Sequence, residues 1–338
     1  VAVITSGGNI SDHPPESEFN LSQPVTQIQQ HFIRGMHNLR PIHHGSVVTI
    51  GSFDGVHLGH QAIIRQVTAK AAELEVPSVA VVFEPQPHEF FSGEQAPARL
   101  MRLREKALAL YEAGIDRVCC LQFNQTLRSL SAEQFVQQIL VDGLGVKYLI
   151  VGDDFRFGMD RSGGYGYLSK AGKTYGFEVC DTDTFEVDGE RVSSTRIRRE
   201  LEQGNFDKAA ELLGKPYTIS GHVGYGQQLG RTLGVPTANV HLHRYRSPLQ
   251  GVFAVRATLP DGSTYNGAAN VGVRPTIGEK IKPILEVHLL DFKGSLYGEI
   301  MTVEFLHKLR EEQKFDSLDL LKAQIYRDID EAKAFFAG

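Results

Sequence analysis

The chain has 338 residues, 41% of them apolar and 22% charged, with a formal net charge of −5 and a pI near 6.2. That length accommodates two domains of ordinary size, and the composition is that of a soluble globular protein. The slightly acidic balance argues against a general nucleic-acid binder, no apolar run is long enough to cross a bilayer, and three cysteines (Cys119, Cys120, Cys180) cannot build a disulfide framework, so a reducing, cytoplasmic setting is expected.

Residues 1–30 contain no Lys or Arg, carry Asp12, Glu16 and Glu18, and show weak periodicity. They read as a flexible extension and not as a targeting peptide. The β-branched run up to Ile50 then predicts a strand, and the stretch from Gln61 to Glu75 a helix. Between them lies Gly51-Ser52-Phe53-Asp54-Gly55-Val56-His57-Leu58-Gly59-His60. On such a turn His57 and His60 fall on one helix face, and the helix N-terminus attracts phosphate. Gly55 and Gly59 are expected to clear the backbone for a ligand. Two imidazoles able to carry protons would offset charge developing at phosphorus. A zinc pair or two surface histidines are the alternatives, but no further ligands with zinc spacing lie nearby.

Further strands are predicted at Val79–Phe83, Val118–Phe123, Tyr148–Val151 and Phe177–Cys180. Helices are predicted at Leu103–Ala113 and after Ser131, where Gln134 completes a capping box. This alternation predicts a parallel, doubly wound α/β sheet that binds ligands at the carboxyl ends of its strands. Three more segments fall at such ends. Val82–His88 ends in a proline-set turn, which on its own reads as a loop. Val151–Gly158 offers Asp154, Arg156 and the rings of Phe155 and Phe157, suited to a polar chain on a flat ring; Phe157 as core is the alternative. Ser193–Arg198 opens a helix whose hydroxyls either cap it or meet a ligand, with Arg198 able to clamp a polyphosphate or to sit on a solvated face.

Near Gly214 the rhythm changes. Val252–Leu259 alternates and meets the hairpin signal Asp261-Gly262, while Leu285–Leu290 and Glu299–Leu306 also have period two; together they predict a small β-barrel. A terminal helix follows Ser317. The glycine-rich run from Gly224 through Gly226 to Gly230 lacks the strand-then-helix context of a dinucleotide fingerprint and fits a flap over a nucleotide. Thr237 and Asn239 point the same way if extended and are hard ligands suited to magnesium, or else a polar strand end. Glu286 and His288 share one strand face, which is ordinarily a solvated one.

In order along the chain, these segments resemble one family. Phe53-Asp54-Gly55-Val56-His57-Leu58-Gly59-His60 resembles the His-x-Gly-His signature of nucleotidylyltransferases in its FAD synthetase form. With the Glu84-Pro85-Gln86-Pro87 turn, Gly152-Asp153-Asp154-Phe155 and Ser193-Ser194-Thr195, the pattern resembles the FMN adenylyltransferase half of bacterial bifunctional riboflavin kinase/FAD synthetases. Gly230-Arg231…Pro236-Thr237-Ala238-Asn239, Asn270–Thr276 and Glu286–Phe292 resemble the riboflavin kinase half. Ser52 and Val235 depart from the more usual Asn and Phe.

The resemblance implies a Rossmann-like nucleotidylyltransferase domain and a closed six-stranded barrel with a terminal helix. It implies that riboflavin is phosphorylated to FMN and FMN adenylylated to FAD, with ATP and Mg2+. His57, His60 and Arg198 would be catalytic in the first half. Gly51, Phe53, Asp54, Gly55, Gly59, Ser194, Thr195, Gly224, Gly226 and Arg231 would bind ATP. Phe83, Asp154, Phe157 and Arg274 would hold flavin, Thr237 and Asn239 the metal, and Glu286 would be the base for the riboflavin hydroxyl. Partners would be small-molecule substrates and FAD-requiring apoproteins, with no nucleic acid and no membrane. The chain would divide into 1–30, 31–213 and 214–338, each half with its own core and able to fold alone.

Overall fold

Strands form where the β-branched runs fall, because a strand buried on both faces must be apolar throughout. The computed structural model of the chain describes residues 31–152, 154–182, 184–225, 234–275 and 281–338, apart from the side chains of 274, 275, 281 and 282. The expected extension, residues 1–30, lies outside the described residues. The first half carries β1 (Phe32–Arg34), β2 (Ser46–Ile50), β3 (Ser78–Glu84), β4 (Arg117–Gln122), β5 (Val146–Gly152) and β6 (Glu178–Thr182). All six are parallel, in the order β1-β4-β3-β2-β5-β6.

The helices are α1 (Leu58–Glu73), α2 (Pro87–Ser92), α3 (Leu103–Glu112), α4 (Gln125–Arg128), α5 (Ala132–Phe135) and α6 (Tyr165–Tyr175). The Ser131/Gln134 capping box forms at α5 as expected, and the helix continues as a π-turn over Val136–Val141. One face of the sheet buries Val48, Val81 and Leu149, the other Val47, Ala80 and Val82 beneath Ile64 and Val67 of α1. Successive strands leave β2 in one direction and then, from β5, in the other. The switch point therefore lies at β2/β5, and the Gly51–His60 turn emerges from its carboxyl end.

A small hairpin, β7 (Glu186–Val187) with β8 (Glu190–Arg191), leads into α7 (Ser194–Glu202) and α8 (Phe206–Leu213). The barrel strands are β9 (Thr218–Gly224), β10 (Ala238–His241), β11 (Gly251–Thr258), β12 (Thr264–Pro275), β13 (Ile281–Leu289) and β14 (Ile300–Arg310). They close antiparallel in the order β10-β13-β12-β11-β14-β9, and α9 (Leu318–Ala337), capped by the Ser317 hydroxyl, packs on the outside. The predicted Asp261-Gly262 turn joins β11 to β12, with Gly262 at φ +83° supplying the conformation that favours glycine.

Each half has apolar clusters of its own, two around the sheet and one between the barrel and α9, and a further cluster is shared between them. The shared cluster runs from the barrel interior (Phe253, Phe305, Val303) into α7 and α8 (Ile197, Leu201, Phe206, Leu212) and on to Leu100. Phe206 lies 5.9 Å edge-on to Phe253 and 6.5 Å from Phe305. The reason is geometric. The highly amphipathic helices α7 and α8 need an apolar surface to cover, and the barrel interior supplies one. Hydrogen bonds cross the same junction: Arg244 Nη1 to the Arg99 carbonyl (2.9 Å), Tyr217 Oη to that of Leu100 (3.2 Å), and the Ser220 N–H to Glu105 Oε1 (3.0 Å).

Candidate active sites

His57 is the N-cap of α1. Its Nδ1 accepts the His60 N–H at 3.3 Å, and the two imidazoles stack at 3.7 Å with their planes 17° apart. The cap requires an unprotonated Nδ1, so His57 is an Nε2–H donor. Burial lowers its pKa to about 4, opposed by Asp54 and assisted by Arg191 and Arg198. His60 is likewise pushed well down by burial, then by His57 and Lys106. Burial thus disfavours the protonated form of both rings in the ligand-free protein. The stacked pair stands at a helix N-terminus, a place suited to phosphate.

The turn around them is held by protein contacts. Asp54 is 2% exposed, and its carboxylate accepts the N–H groups of Leu100 and Met101 at 3.1 Å and the Arg198 guanidinium at 2.5 Å. Its carboxylate is thus engaged by protein groups that hold the turn in place. Arg198 also donates to the Ala98 carbonyl, and with 19% of its side chain exposed it keeps further donors for a ligand. The Ser193 hydroxyl caps α7, while Ser194 donates to the Asp54 carbonyl at 2.8 Å, tying the two phosphate-seeking N-termini together; Thr195 is exposed beside it.

Gly55 has φ +92°, and a Cβ there would meet Leu100 Cδ1 at 2.8 Å, so packing alone already calls for glycine. At Gly59 a Cβ would press on the His57 ring and the Val192 carbonyl. Gly51 is covered by the Phe53 ring, itself 2% exposed and 5.1 Å from His60. Phe53 packs as a buried wall behind the histidine.

The rings expected to touch flavin are core. Phe83 is 8% exposed and edge-on to Phe123; Phe157 is 6% exposed and packs on Phe135 and Phe155. Their apolar strand-end positions sink them into the cluster under β3 and β5. Asp154 is exposed and pairs with Arg191 at 3.0 Å, which brings the Val151–Gly158 segment to the β7–β8 hairpin.

In the barrel, register assembles what sequence separation conceals. Asn239 on β10 is opposite Glu286 on β13, which is opposite Asn270 on β12; Asn239 is also opposite Gly224 on β9. Leu285, Val287 and Val240 face the interior core, so Asn239 and Glu286 stand on the outer face, whose apolar part lies under α9. Asn239 is 5% exposed and its Nδ2 reaches the Thr237 carbonyl at 3.4 Å, while His288 is bonded to the Pro236 carbonyl at 2.9 Å. Thr237, Asn239 and Glu286 are thus brought together. Gly226, Arg231 and the side chain of Arg274 lie outside the described residues.

Sequence models of two families match in tandem: FAD synthetase over residues 39–196 and riboflavin kinase over residues 213–336. The bifunctional riboflavin kinase/FMN adenylyltransferase of Pseudomonas fluorescens is 56% identical over 90% of this chain and 97% of its own. The chain belongs to the bifunctional riboflavin kinase/FMN adenylyltransferase family. Relatives of the same name from Haemophilus influenzae and Escherichia coli are 49% and 48% identical, over 98% and 97% of their lengths. A solved structure titled as a macrolide-efflux protein from Streptococcus pneumoniae matches with a TM-score of 0.72 at 30% identity, covering 88% of this chain and 97% of that one. Among the described residues of this family member, no helix is long and apolar enough to cross a membrane.

Sequence reasoning missed two features of these sites. Asn270 was visible only as part of a motif, because its place beside Glu286 is a fact of strand register. Lys106 on α3 is fully buried beside the adenylyltransferase turn, yet in sequence it reads as one more polar position of an amphipathic helix.

Proposed function

We propose that the chain uses its two sites in series, with residues 214–338 making FMN from riboflavin and residues 31–213 making FAD from FMN. ATP, riboflavin and FMN are the substrates, in keeping with the family. The observation that carries the reading is the pairing of both family matches, in one chain, with a separate polar cluster in each half. Small molecules are the partners, FAD-requiring apoproteins receive the product, and neither nucleic acid nor membrane takes part. A cytoplasmic location is supported by the buried, unpaired thiols of Cys119 and Cys120.

At the sheet site an FMN phosphate oxygen forms a bond to the α-phosphorus of ATP, and the bond from that phosphorus to the β-bridging oxygen breaks. Pyrophosphate leaves with the electron pair, and no proton need move. The N–H groups of His57, His60 and the α7 N-terminus, with Arg198, then have one task, to hold and neutralise phosphate oxygens. At the barrel site the riboflavin 5′-oxygen bonds to the γ-phosphorus, ADP leaves, and Glu286 takes the hydroxyl proton. Thr237 and Asn239 offer hard oxygen donors, and the described residues contain no cluster of three His, Cys, Asp or Glu that could hold a metal. Few protein ligands suit Mg2+, which keeps its waters and phosphate oxygens and supplies charge neutralisation when bound.

The test is flavin chromatography after incubation with riboflavin and Mg-ATP. Wild type should yield FAD, and His57→Ala should stop at FMN, with adenylyl transfer down about 10²–10³-fold. Glu286→Gln should cut riboflavin phosphorylation by about 10²–10⁴-fold while supplied FMN is still adenylylated. Equal loss of both activities in either variant would refute the assignment.

A further inference from the structure

Lys106 has 0% exposure, and its Nζ has no hydrogen-bond partner. An ammonium in that position is costly unless something compensates it. The neighbouring carboxylates are already engaged. Glu84 and Glu89 both bind the Arg99 guanidinium, and Asp54 binds Arg198 and two backbone N–H groups. Lys106 interacts electrostatically with Asp54, Arg99 and Glu84, the last at the carboxyl end of β3, and lies within range of the Cys120 thiol near the end of β4; its own charge acts on His60. The side chain therefore projects from α3 to the carboxyl ends of the strands, where parallel sheets take their ligands. His60, on which Lys106 acts, also has a buried nitrogen without a partner, its Nδ1. Lys106 Nζ and His60 Nδ1 are not the only buried nitrogens without a partner among the described residues, but these two act on each other at a helix N-terminus, where a ligand would complete them.

We propose that Lys106 is a binding residue of the adenylyl-transfer site, taking an anionic oxygen of the ATP triphosphate from beneath the His57/His60 pair. This rests on the reading of that turn as the ATP site. The choice of ATP over the flavin phosphate follows from Lys106 acting on His60, which sits in the first turn of α1 where a triphosphate is expected. The competing role is a structural counter-ion for the Asp54, Glu84 and Glu89 cluster.

The two roles predict opposite behaviour for Lys106→Met in the full chain. A counter-ion removed from among carboxylates destabilises the fold, whereas an unpartnered ammonium replaced by an apolar chain of similar length leaves it as stable or more so. We expect Lys106→Met to melt no lower than wild type without ligand and to phosphorylate riboflavin normally. Titration calorimetry should show Mg-ATP binding at the sheet site about ten- to a hundred-fold weaker, with Glu286→Gln, Asn239→Ala in the background to suppress the kinase site. Lys106→Arg should recover part of the loss. Wild-type ATP affinity in Lys106→Met, a lost affinity for FMN alone, or a lowered melting point with both activities reduced would each overturn the proposal. Should Lys106→Met fail to fold, Lys106→Gln is read by the same criteria, and failure of both to fold assigns the counter-ion role. If His57→Ala leaves FAD formation intact, the site reading itself is wrong; if His57→Ala is inactive and Lys106→Met is not, only the lysine is.

Discussion

Cutting the chain between Leu213 and Gly214 separates the two family matches but divides one hydrophobic core. In a fragment of residues 31–213 the barrel faces of Ile197, Leu201, Phe206 and Leu212 would lose their cover. Fully exposing one such side chain costs about 1.5–3 kcal/mol. With α7 and α8 still shielding each other, about half of that is forfeited, or roughly 3–6 kcal/mol over the group. The Arg244, Tyr217 and Ser220 hydrogen bonds to residues 99–105 each add about 1 kcal/mol. The sum is comparable with the whole stability of a domain, about 5–15 kcal/mol. The 31–213 fragment should therefore bind a hydrophobic dye, melt without a cooperative transition and make no FAD. Residues 193–338, which keep α7 and α8 over the barrel, should fold and phosphorylate riboflavin. Calorimetry and flavin chromatography on the purified fragments check both. A monomeric 31–213 fragment that melts cooperatively and forms FAD within about tenfold of the full chain, a difference of only 1.4 kcal/mol, would refute the reasoning.

Phe206→Ala should act on the same junction without a cut, lowering stability by about 3–5 kcal/mol, as large-to-small core changes do, and reducing both activities on warming; an unchanged melting temperature would show the helix free of the barrel. The His57 imidazole gives a pH signature. Its folded pKa of about 4 lies below the unfolded 6.5, so its contribution is fully present above pH 6.5 and is lost as pH falls toward 4. By pH 5 this amounts to about 2 kcal/mol. His57→Asn keeps a capping side chain without the titration, so denaturant unfolding at pH 7 and pH 5 should show a smaller loss for the variant than for wild type. Equal losses would mean that His57 is protonated in the free protein.

Much of this fold was legible in the chain. The strand at Ser46–Ile50, the helix at Leu103–Glu112 and the caps at Ser131 and Ser317 each follow from local physics that tertiary structure did not override. β9, β10 and β12 were not predicted. β12 includes Asn266-Gly267-Ala268-Ala269-Asn270, residues of poor strand propensity, and it is held by ladders to β11 and β13. The site was legible as a set of residue types and much less as a set of contacts. Asp54 and Arg198 are 144 positions apart, and nothing in either segment says that they pair. Phe83 and Phe157 show the same limit. An aromatic residue at a strand end is equally suited to a ligand and to a core, and only the packing around Phe123, Phe135 and Phe155 decides between them.

The two sites face opposite electrostatic problems, which accounts for their different construction. An FMN phosphate is already a nucleophile, so a base at the sheet site would add nothing, and the approach of two polyanions must be made tolerable. Burial disfavours protonation of the stacked imidazoles, and positive charge is offered by Arg198 and the helix N-termini, with Lys106 buried and held out of water. Such charges act more strongly for being desolvated, at a cost the ligand-free fold has to bear. Riboflavin instead presents an alcohol, for which a carboxylate near the attacking oxygen is the useful group. As the proposed base, Glu286 would meet that need from the middle of β13, where ladders to Asn239 on one side and Asn270 on the other fix its position. A base mounted on a closed barrel needs no buried charge network to hold it, whereas the phosphate site depends on residues 98–105, which are themselves pinned by Arg244 and Ser220 of the barrel. Dependence between the halves should therefore run one way, with adenylyl transfer more sensitive to damage in the barrel than phosphorylation is to damage in the sheet.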